Sequence, residues 1–493
     1  MIYNFNLGIG WASSGVEYAQ IYRAKMLRNI GAEAKFVFTD MFPSENIEHM
    51  TKNIGFLDSE VIWLYTFFTD FKTAPVTYTL SDLEKTFTDL NYTKTREGKI
   101  CRYVFGGSNN FYTAYMVNDH DDFVHRVEMV SNGCLIRKDY FTYGRVYSEY
   151  YAPLDNKAHL YHRRFFNENG SVAYEEIMDD DRVMYKFKNK ILCSKEEFVG
   201  YMVSKLNLTS DDVVLIDRST DIGQSIIMNC KPARVGTIVH ADHFSEKDTN
   251  EDYILWNNYY EYEFNMHKHI DFYICSTQAQ SDLMVQQFEK YYGVTPCVYT
   301  IPVGSLPELK YPKENRKPFS LITASRLASE KHVDWICKAV IQARSEVPEL
   351  SLDIYGEGGE RSKLETIIKE NNASNYIRLM GQHDLSEVYQ NYEAYIAGST
   401  SEGFGLTLME AVGGGLPIIG FDVRYGNPTF IRNGENGYLL KLPEEDKDRI
   451  EALRKGIVDL FKQDLEKCHS VSYLVAKDFL TSNVQEKWRE AVC

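Results

Sequence analysis

From residue 319 onward the chain repeats one unit: a short apolar run, a turn of glycine or polar residues, then a stretch with helical spacing. The runs fall at 319–324, 352–355, 377–380, 394–397, 417–421 and 437–440, with helices expected at 333–343, 360–369 and 385–389 and Trp488 in a final helix. Such short continuous apolar runs suit strands buried on both faces, and intervening helices make the crossover the natural connection, so the expected sheet is parallel. Open parallel sheets bind ligands beyond the carboxyl ends of their strands. Every turn that follows a run is therefore a candidate site.

The richest of these turns is 398–415, which carries Glu402-Gly403-Phe404-Gly405-Leu406-Thr407 and then Glu410. A helix is expected to open near Leu406, and backbone N–H groups around Gly405, Leu406 and Thr407 with the positive end of the helix dipole would suit a diphosphate. Glu402 in the loop and Glu410 on the first turns can then face one cleft and accept sugar hydroxyls. Spacing alone leaves a second reading open, in which Ser399 to Ser401 cap the helix and the glutamates only complement its dipole. In the loop 325–331, Arg326 and Lys331 can reach one anion from two sides, the first as a planar fork and the second as a point charge. The competing reading there is a surface ion pair between Lys331 and Glu330. The turn Gly381-Gln382-His383 could host a planar base.

The first half opens the same way. A strand is expected at 1–7, a glycine-bearing turn at 8–15, a helix marked by Ala19, Tyr22, Met26 and Ile30, and strands at 34–38 and 60–65. Gly8 and Gly10 are only a fragment of the dinucleotide fingerprint, and no acid follows on the second strand at the usual distance, which argues against a nicotinamide site. A phosphate near Ser14 and Gly15 stays open. Between 101 and 191 aromatic or β-branched residues alternate with polar ones, with turn signals at Asn132-Gly133 and Asn169-Gly170, the pattern of an antiparallel meander. The acidic runs 119–122 and 179–181 fit hairpin tips better than metal sites, and the tyrosines fit either a packed sheet or a recognition surface. The α/β pattern resumes with strands at 213–217, 234–239, 270–275 and 297–301 and a helix at 223–228. His240 stands where a strand's carboxyl end meets a loop, a ligand position if it is not simply a satisfied structural histidine.

Composition then excludes several classes. The net charge of −16 opposes nucleic-acid binding as the main task, because a phosphate backbone requires a basic face. No charged leader with an apolar run stands at the N-terminus and no run suits a membrane helix, so a cytoplasmic protein is expected. The nine cysteines include no C-x-x-C pair and suit buried thiols rather than disulfides or zinc. No D-x-D pattern sits at a strand end beside the phosphate-binding turns, and no metal is expected.

The residues together carry a resemblance. Ser325-Arg326-Leu327 with Glu330-Lys331, the Glu402 to Glu410 stretch and Val239-His240-Ala241 resemble the family 4 retaining glycosyltransferases of GT-B fold. Residues 6–19, 250–260 and 319–327 are similar, within that group, to the catalytic subunits of the bacterial pair that starts O-glycosylation of serine-rich-repeat adhesins. The resemblance implies two facing doubly wound domains with an antiparallel β-meander in the first. The expected boundaries are 1–74 and 195–305 for the first domain, 75–194 for the insertion, 306–475 for the donor-binding domain after a linker at 305–318, and 476–493 for a helix returning to the first domain.

The resemblance further implies transfer of N-acetylglucosamine from UDP-GlcNAc to serine or threonine hydroxyls, with retention by front-face substitution. Arg326 and Lys331 would hold the diphosphate, Glu410 the ribose, Glu402 the sugar hydroxyls, and His240 the region of the reacting carbon; the Ser14–Gly15 turn would close on the phosphates. It implies a non-catalytic partner subunit, an adhesin polypeptide as acceptor, and room for peripheral association with the cytoplasmic face of the membrane through that partner. Rival readings are a wall-teichoic-acid transferase, the same protein glycosylation with UDP-glucose, the non-catalytic partner itself, and a glycoside phosphorylase, for which no pyridoxal phosphate lysine motif is found.

Overall fold

The computed structural model describes residues 1–9, 15–43, 45–88, 90–106, 109–180 and 182–493. It comprises two compact units, Met1–Ala24, Ala32–Thr237 and Glu261–Asp271 in the first and Lys25–Gly31, Ile238–Tyr260 and Phe272–Cys493 in the second.

In the second unit six parallel strands lie in the order Ile377–Gly381, Ser351–Tyr355, Ser320–Ala324, Ala394–Ile396, Ile418–Phe421, Gly437–Leu440. The earliest strand in the chain is thus internal, the next two extend one way and the last three the other, which opens a crevice where the order reverses. Its core explains the pattern. Helix Val333–Ala343 turns Trp335, Ile336, Val340 and Ala343 inward, where they pack with Leu321, Leu352 and Ile396. The helix expected at 385–389 does not form. Asp384 Oδ1 instead accepts the Ser386 N–H at 2.9 Å, a local turn bond that competes with helix, and only the short 3-10 turn Tyr389–Asn391 follows. The proline- and charge-rich stretch 305–318 is not a free tether either: the Arg316 guanidinium donates to the carbonyls of Gln390, Tyr392 and Gly414, each at 2.9 Å.

The first unit holds parallel strands in the order Arg234–Val239, Val213–Ile216, Ile2–Asn6, Ala34–Phe38, Val61–Trp63. Beneath them Arg23, 2% exposed, donates to both oxygens of Asp217, at 2.8 and 2.5 Å, and to Asn4 Oδ1 at 2.7 Å. Charges so deep are tolerated because both are paired and hydrogen-bonded.

The same unit carries a ten-stranded antiparallel meander in chain order, from Tyr92–Glu97 to Lys190–Leu192. Asn132 and Gly133 take positive φ, 51° and 79°, between the paired residues Ser131 and Cys134, the conformation a two-residue hairpin demands. Asp119 to Asp122 form a hairpin tip in which Asn118 Oδ1 accepts the N–H groups of His120 and Asp121 at 2.8 and 3.0 Å. Asp179 ends a strand and Asp180 turns with φ 52°; Asp181 lies outside the described residues.

Many of the meander's aromatic residues are core. Tyr140, Tyr147, Phe165, Tyr174 and Phe187 stack in sequence across the strands at ring-centroid distances of 4.4, 5.4, 4.5 and 5.0 Å. Phe198, from the helix Lys195–Lys205 that follows the meander, lies 4.1 Å from the Tyr185 ring and 5.8 Å from Tyr65. The insertion therefore closes over the α/β part of its own unit. Further along that face Arg163 bridges Glu149 and Glu176 at 2.9 Å each.

Candidate active site

The crevice at the strand-order reversal is built by close backbone approaches. A Cβ on Gly398 would stand 2.8 Å from the His332 carbonyl oxygen and 3.0 Å from that of Lys331, so glycine there lets the turn Ser329–Lys331 lie against the end of Ala394–Ile396. That approach brings Lys331 Nζ to Glu402 Oε2, 2.6 Å apart and 71 residues distant in sequence. Both side chains are about one-fifth exposed, at 22% and 21%. The competing reading of a Lys331–Glu330 pair is not met: Glu330 instead accepts from Arg326 Nη2 at 2.8 Å, on a side chain 75% exposed. Arg326 and Lys331 thus leave one loop with different partners.

The Glu402 backbone is fixed on both sides. Its N–H donates to the Arg424 carbonyl at 3.1 Å, and its carbonyl accepts from the N–H groups of Tyr425 and Gly426 at 2.6 and 2.7 Å. Gly405, in the left-handed region with φ 87°, precedes helix Leu406–Gly413, and no side chain caps it. The reading that Ser399 to Ser401 cap this helix is thereby corrected. Ser399 is buried, and a glycine at the cap leaves the amides of Leu406 and Thr407 ahead of the first intrahelical bonds. Gly403 follows Glu402 with its α-carbon facing His240, whose carbonyl oxygen would lie 3.7 Å from an added Cβ. Phe404 packs against Phe430 and Phe479. The Thr407 hydroxyl lies 3.0 Å from the Tyr395 phenol, which donates to the Ala324 carbonyl at 2.9 Å and so ties this helix to the first strand's end.

Glu410 points from that helix to Tyr389, whose hydroxyl donates to Oε2 at 2.9 Å. Burial pushes its carboxyl above the usual range, with the Tyr389 bond opposing. Gln382 and His383 are exposed beyond the end of Ile377–Gly381, and the His383 ring sits 2.8 Å from the Met380 carbonyl oxygen through Nε2 and edge-on to Tyr355. His240 is partly exposed; its N–H and that of Ala241 donate to the Tyr260 phenol oxygen at 2.9 and 3.0 Å. The structure thus places His240, Lys331, Glu402, Gly403 and Gly405 together, with Thr407 and Glu410 along the adjoining helix. Gly15 begins helix Gly15–Asn29 in the first unit, and Ser14 lies outside the described residues. Among the described residues no group of three or more His, Cys, Asp and Glu side chains could hold a metal ion.

Sequence reasoning missed Asp242, Arg424 and Tyr425. The Tyr425 hydroxyl donates to Asp242 Oδ1 at 2.5 Å, and Arg424 Nη2 lies 3.5 Å from Asp242 Oδ2. The local signal for Arg424 and Tyr425 is that 422–426 follows a buried strand, and for Asp242 that it lies in the loop after His240, as the other site residues do.

A family model described as "Glycosyl transferases group 1" matches residues 308–474, and one described as "GtfA extended beta-sheet domain" matches 93–189. Fold and site define a glycosyltransferase of the GT-B class. The chain is 53% identical over 492 residues to the UDP-N-acetylglucosamine–peptide N-acetylglucosaminyltransferase GtfA subunit of Streptococcus agalactiae, covering 99% of this chain and 97% of that protein. A solved GtfA/B complex contains a chain 52% identical, matched at TM-score 0.96 with 100% of this chain and 99% of that one covered. The pneumococcal O-GlcNAc transferase GtfA, solved with UDP and GlcNAc, is 49% identical at TM-score 0.85, with 100% and 98% covered. The chain belongs to the GtfA family.

The half-buried carboxyl of Glu410 gives a testable consequence. If Oε1 accepts a ribose hydroxyl while Oε2 holds Tyr389, that bond to a charged acceptor would contribute about 1.5–3 kcal/mol. Glu410→Ala is expected to weaken UDP binding about 10- to 100-fold in calorimetry. Protonation removes the same charge, so wild-type affinity should fall as pH drops through the raised carboxyl pKa, and the variant should lose that dependence. An unchanged affinity would remove Glu410 from the site.

Proposed function

We propose that this protein is the catalytic subunit of a protein O-glycosyltransferase, transferring N-acetylglucosamine from UDP-GlcNAc to serine or threonine hydroxyls of a serine-rich-repeat adhesin with a GtfB-like partner. The carrying observation is the Lys331–Glu402 pair, set at the strand-order reversal beside an uncapped helix N-terminus. A cation and oriented amides there stabilise the negative charge that grows on the departing diphosphate, and they do so more in the transition state than before it. Lys331 and Arg326 take the diphosphate with the amides of Leu406 and Thr407; Glu410 takes the ribose, Gln382 and His383 border the base, and Glu402 and His240 flank the sugar. The departing phosphate accepts the proton of the attacking hydroxyl, which accounts for retention without a protein nucleophile. Relatives at about half identity bear the name of peptide N-acetylglucosaminyltransferase, which favours this acceptor over a polyol phosphate. No described helix is long and apolar enough to cross a membrane.

The test offers the purified pair a panel of UDP-sugars and a Ser/Thr-rich repeat polypeptide, and weighs the product. A mass gain of N-acetylhexosamine is expected, with a hexose gain from UDP-glucose absent or much slower; the reverse preference, or no gain from either, refutes the assignment. Transfer is also expected to survive EDTA, because Arg326, Lys331 and the helix amides supply the neutralisation. Activity abolished by chelation and restored by magnesium would contradict that.

A further inference from the structure

Tyr425 touches both sides of the proposed sugar site. Its backbone N–H donates to the Glu402 carbonyl at 2.6 Å within a parallel bridge, and its phenol donates to Asp242 Oδ1 at 2.5 Å. Asp242 lies two residues beyond His240, and the same phenol is 3.3 Å from His243 Nδ1. The ring is 2% exposed and stacks on the His243 ring at 6.1 Å and 22°. Other bonds fix the shape of the 240–243 loop itself. Tyr260 accepts its first two N–H groups, Gln280 donates to the Ala241 carbonyl at 2.8 Å, and Asn257 donates to the Asp242 carbonyl at 2.8 Å. Tyr425 differs from these in also holding the backbone of Glu402. Gly426 completes the arrangement: a Cβ there would stand 2.3 Å from the Phe404 carbonyl oxygen, so the chain after Tyr425 is pressed onto the Glu402 loop. Burial, with the Asp242 carboxylate adding to it, pushes the phenol well above its ordinary range and keeps it a donor.

We propose that Tyr425 is a positioning residue for transfer, setting the separation of His240 and Glu402 by clamping one through Asp242 and the other through its own backbone. The inference rests on the reading that those two side chains flank the donor sugar. It requires no contact between Tyr425 and substrate. Its effect is geometric, and small misplacements at a reacting centre are costly: about 1 Å can lower rates 100-fold.

Tyr425→Phe retains the ring and the backbone bridge and removes only the hydroxyl. The expected result is a fall in kcat for UDP-GlcNAc turnover of about 10- to 100-fold, with UDP affinity unchanged, because the diphosphate and ribose contacts stand elsewhere. Asp242→Ala should reproduce the fall, Asp242→Asn should recover most of it by keeping an acceptor oxygen, and Tyr425→Phe with Asp242→Ala should be no worse than either alone. Should Tyr425→Phe fail to fold, the two Asp242 variants decide, since that side chain is 39% exposed. Wild-type kcat in Tyr425→Phe, or equal kcat in the two Asp242 variants, overturns the proposal. His240→Ala and Glu402→Gln are run beside them: if both turn over normally the reading of the sugar site has failed, whereas if both are inactive and Tyr425→Phe is not, only the positioning role has.

Discussion

Lys331→Ala is expected to lower turnover of UDP-GlcNAc about 100- to 1000-fold while leaving the second unit folded, the cost typical of losing one preorganised donor to a developing oxyanion. The side chain is held at 2.6 Å from Glu402 and is one-fifth exposed, so its charge is placed before any ligand arrives. Removal also leaves Glu402 without a counter-charge, and Lys331→Gln separates the two effects by keeping a donor without the charge. Arg326→Ala should fall in the same range by a different route. Arg326 rests in an exposed pair with Glu330, a surface contact of the kind that contributes about 0.2–1 kcal/mol, so it can exchange that partner for a phosphate at little cost. Single-turnover rates alongside thermal unfolding check both variants. Near-normal rates in the folded proteins would remove the diphosphate role from this loop.

Phe198→Ala is expected to destabilise the first unit by about 3–5 kcal/mol, the range for deleting a buried phenylalanine. The ring is fully buried and packs at 4.1 Å from Tyr185, 5.4 Å from Tyr174 and 5.5 Å from Phe68, so its loss opens a cavity between the meander and the α/β part of that unit. Met184→Ala is the control. Met184 is the neighbour of Tyr185 on the strand Arg182–Phe187, points to the opposite face and is 38% exposed, so its change should stay within about 0.5 kcal/mol. Denaturant unfolding of both variants measures the difference; equal stabilities would mean that the meander does not complete this core. The same packing changes how the insertion's role must be probed. Excising it would strip the cover from Phe198 and Tyr65, so loss of partner binding in a trimmed protein would report unfolding as much as recognition. Substitutions on the exposed face, at residues such as Tyr161 and Ile191, test recognition without touching that seam.

The sequence by itself determined the strands of the second unit and the long helix Val333–Ala343, because apolar runs and helical spacing are local signals and short loops left few ways to connect them. It determined the antiparallel meander for the same reason: period-two alternation with Asn-Gly turns is written residue by residue. Glu402, Lys331, Glu410 and His240 were legible as candidates because each follows a buried run at the end where parallel sheets bind ligands. Tertiary structure alone decided the pairings. Whether Lys331 meets Glu330 or Glu402 depends on Gly398 admitting the carbonyls of Lys331 and His332 at a distance no side chain would permit. The cap reading of Ser399 to Ser401 failed because only the folded loop reveals Gly405 in the left-handed region at the helix entry. The meander's tyrosines could not be assigned to core or surface from alternation, which gives two faces and not which one is covered. Tyr425 was invisible for a related reason. Its partner Asp242 is 183 residues away, and a hydrogen bond between distant side chains leaves no periodic trace in either segment.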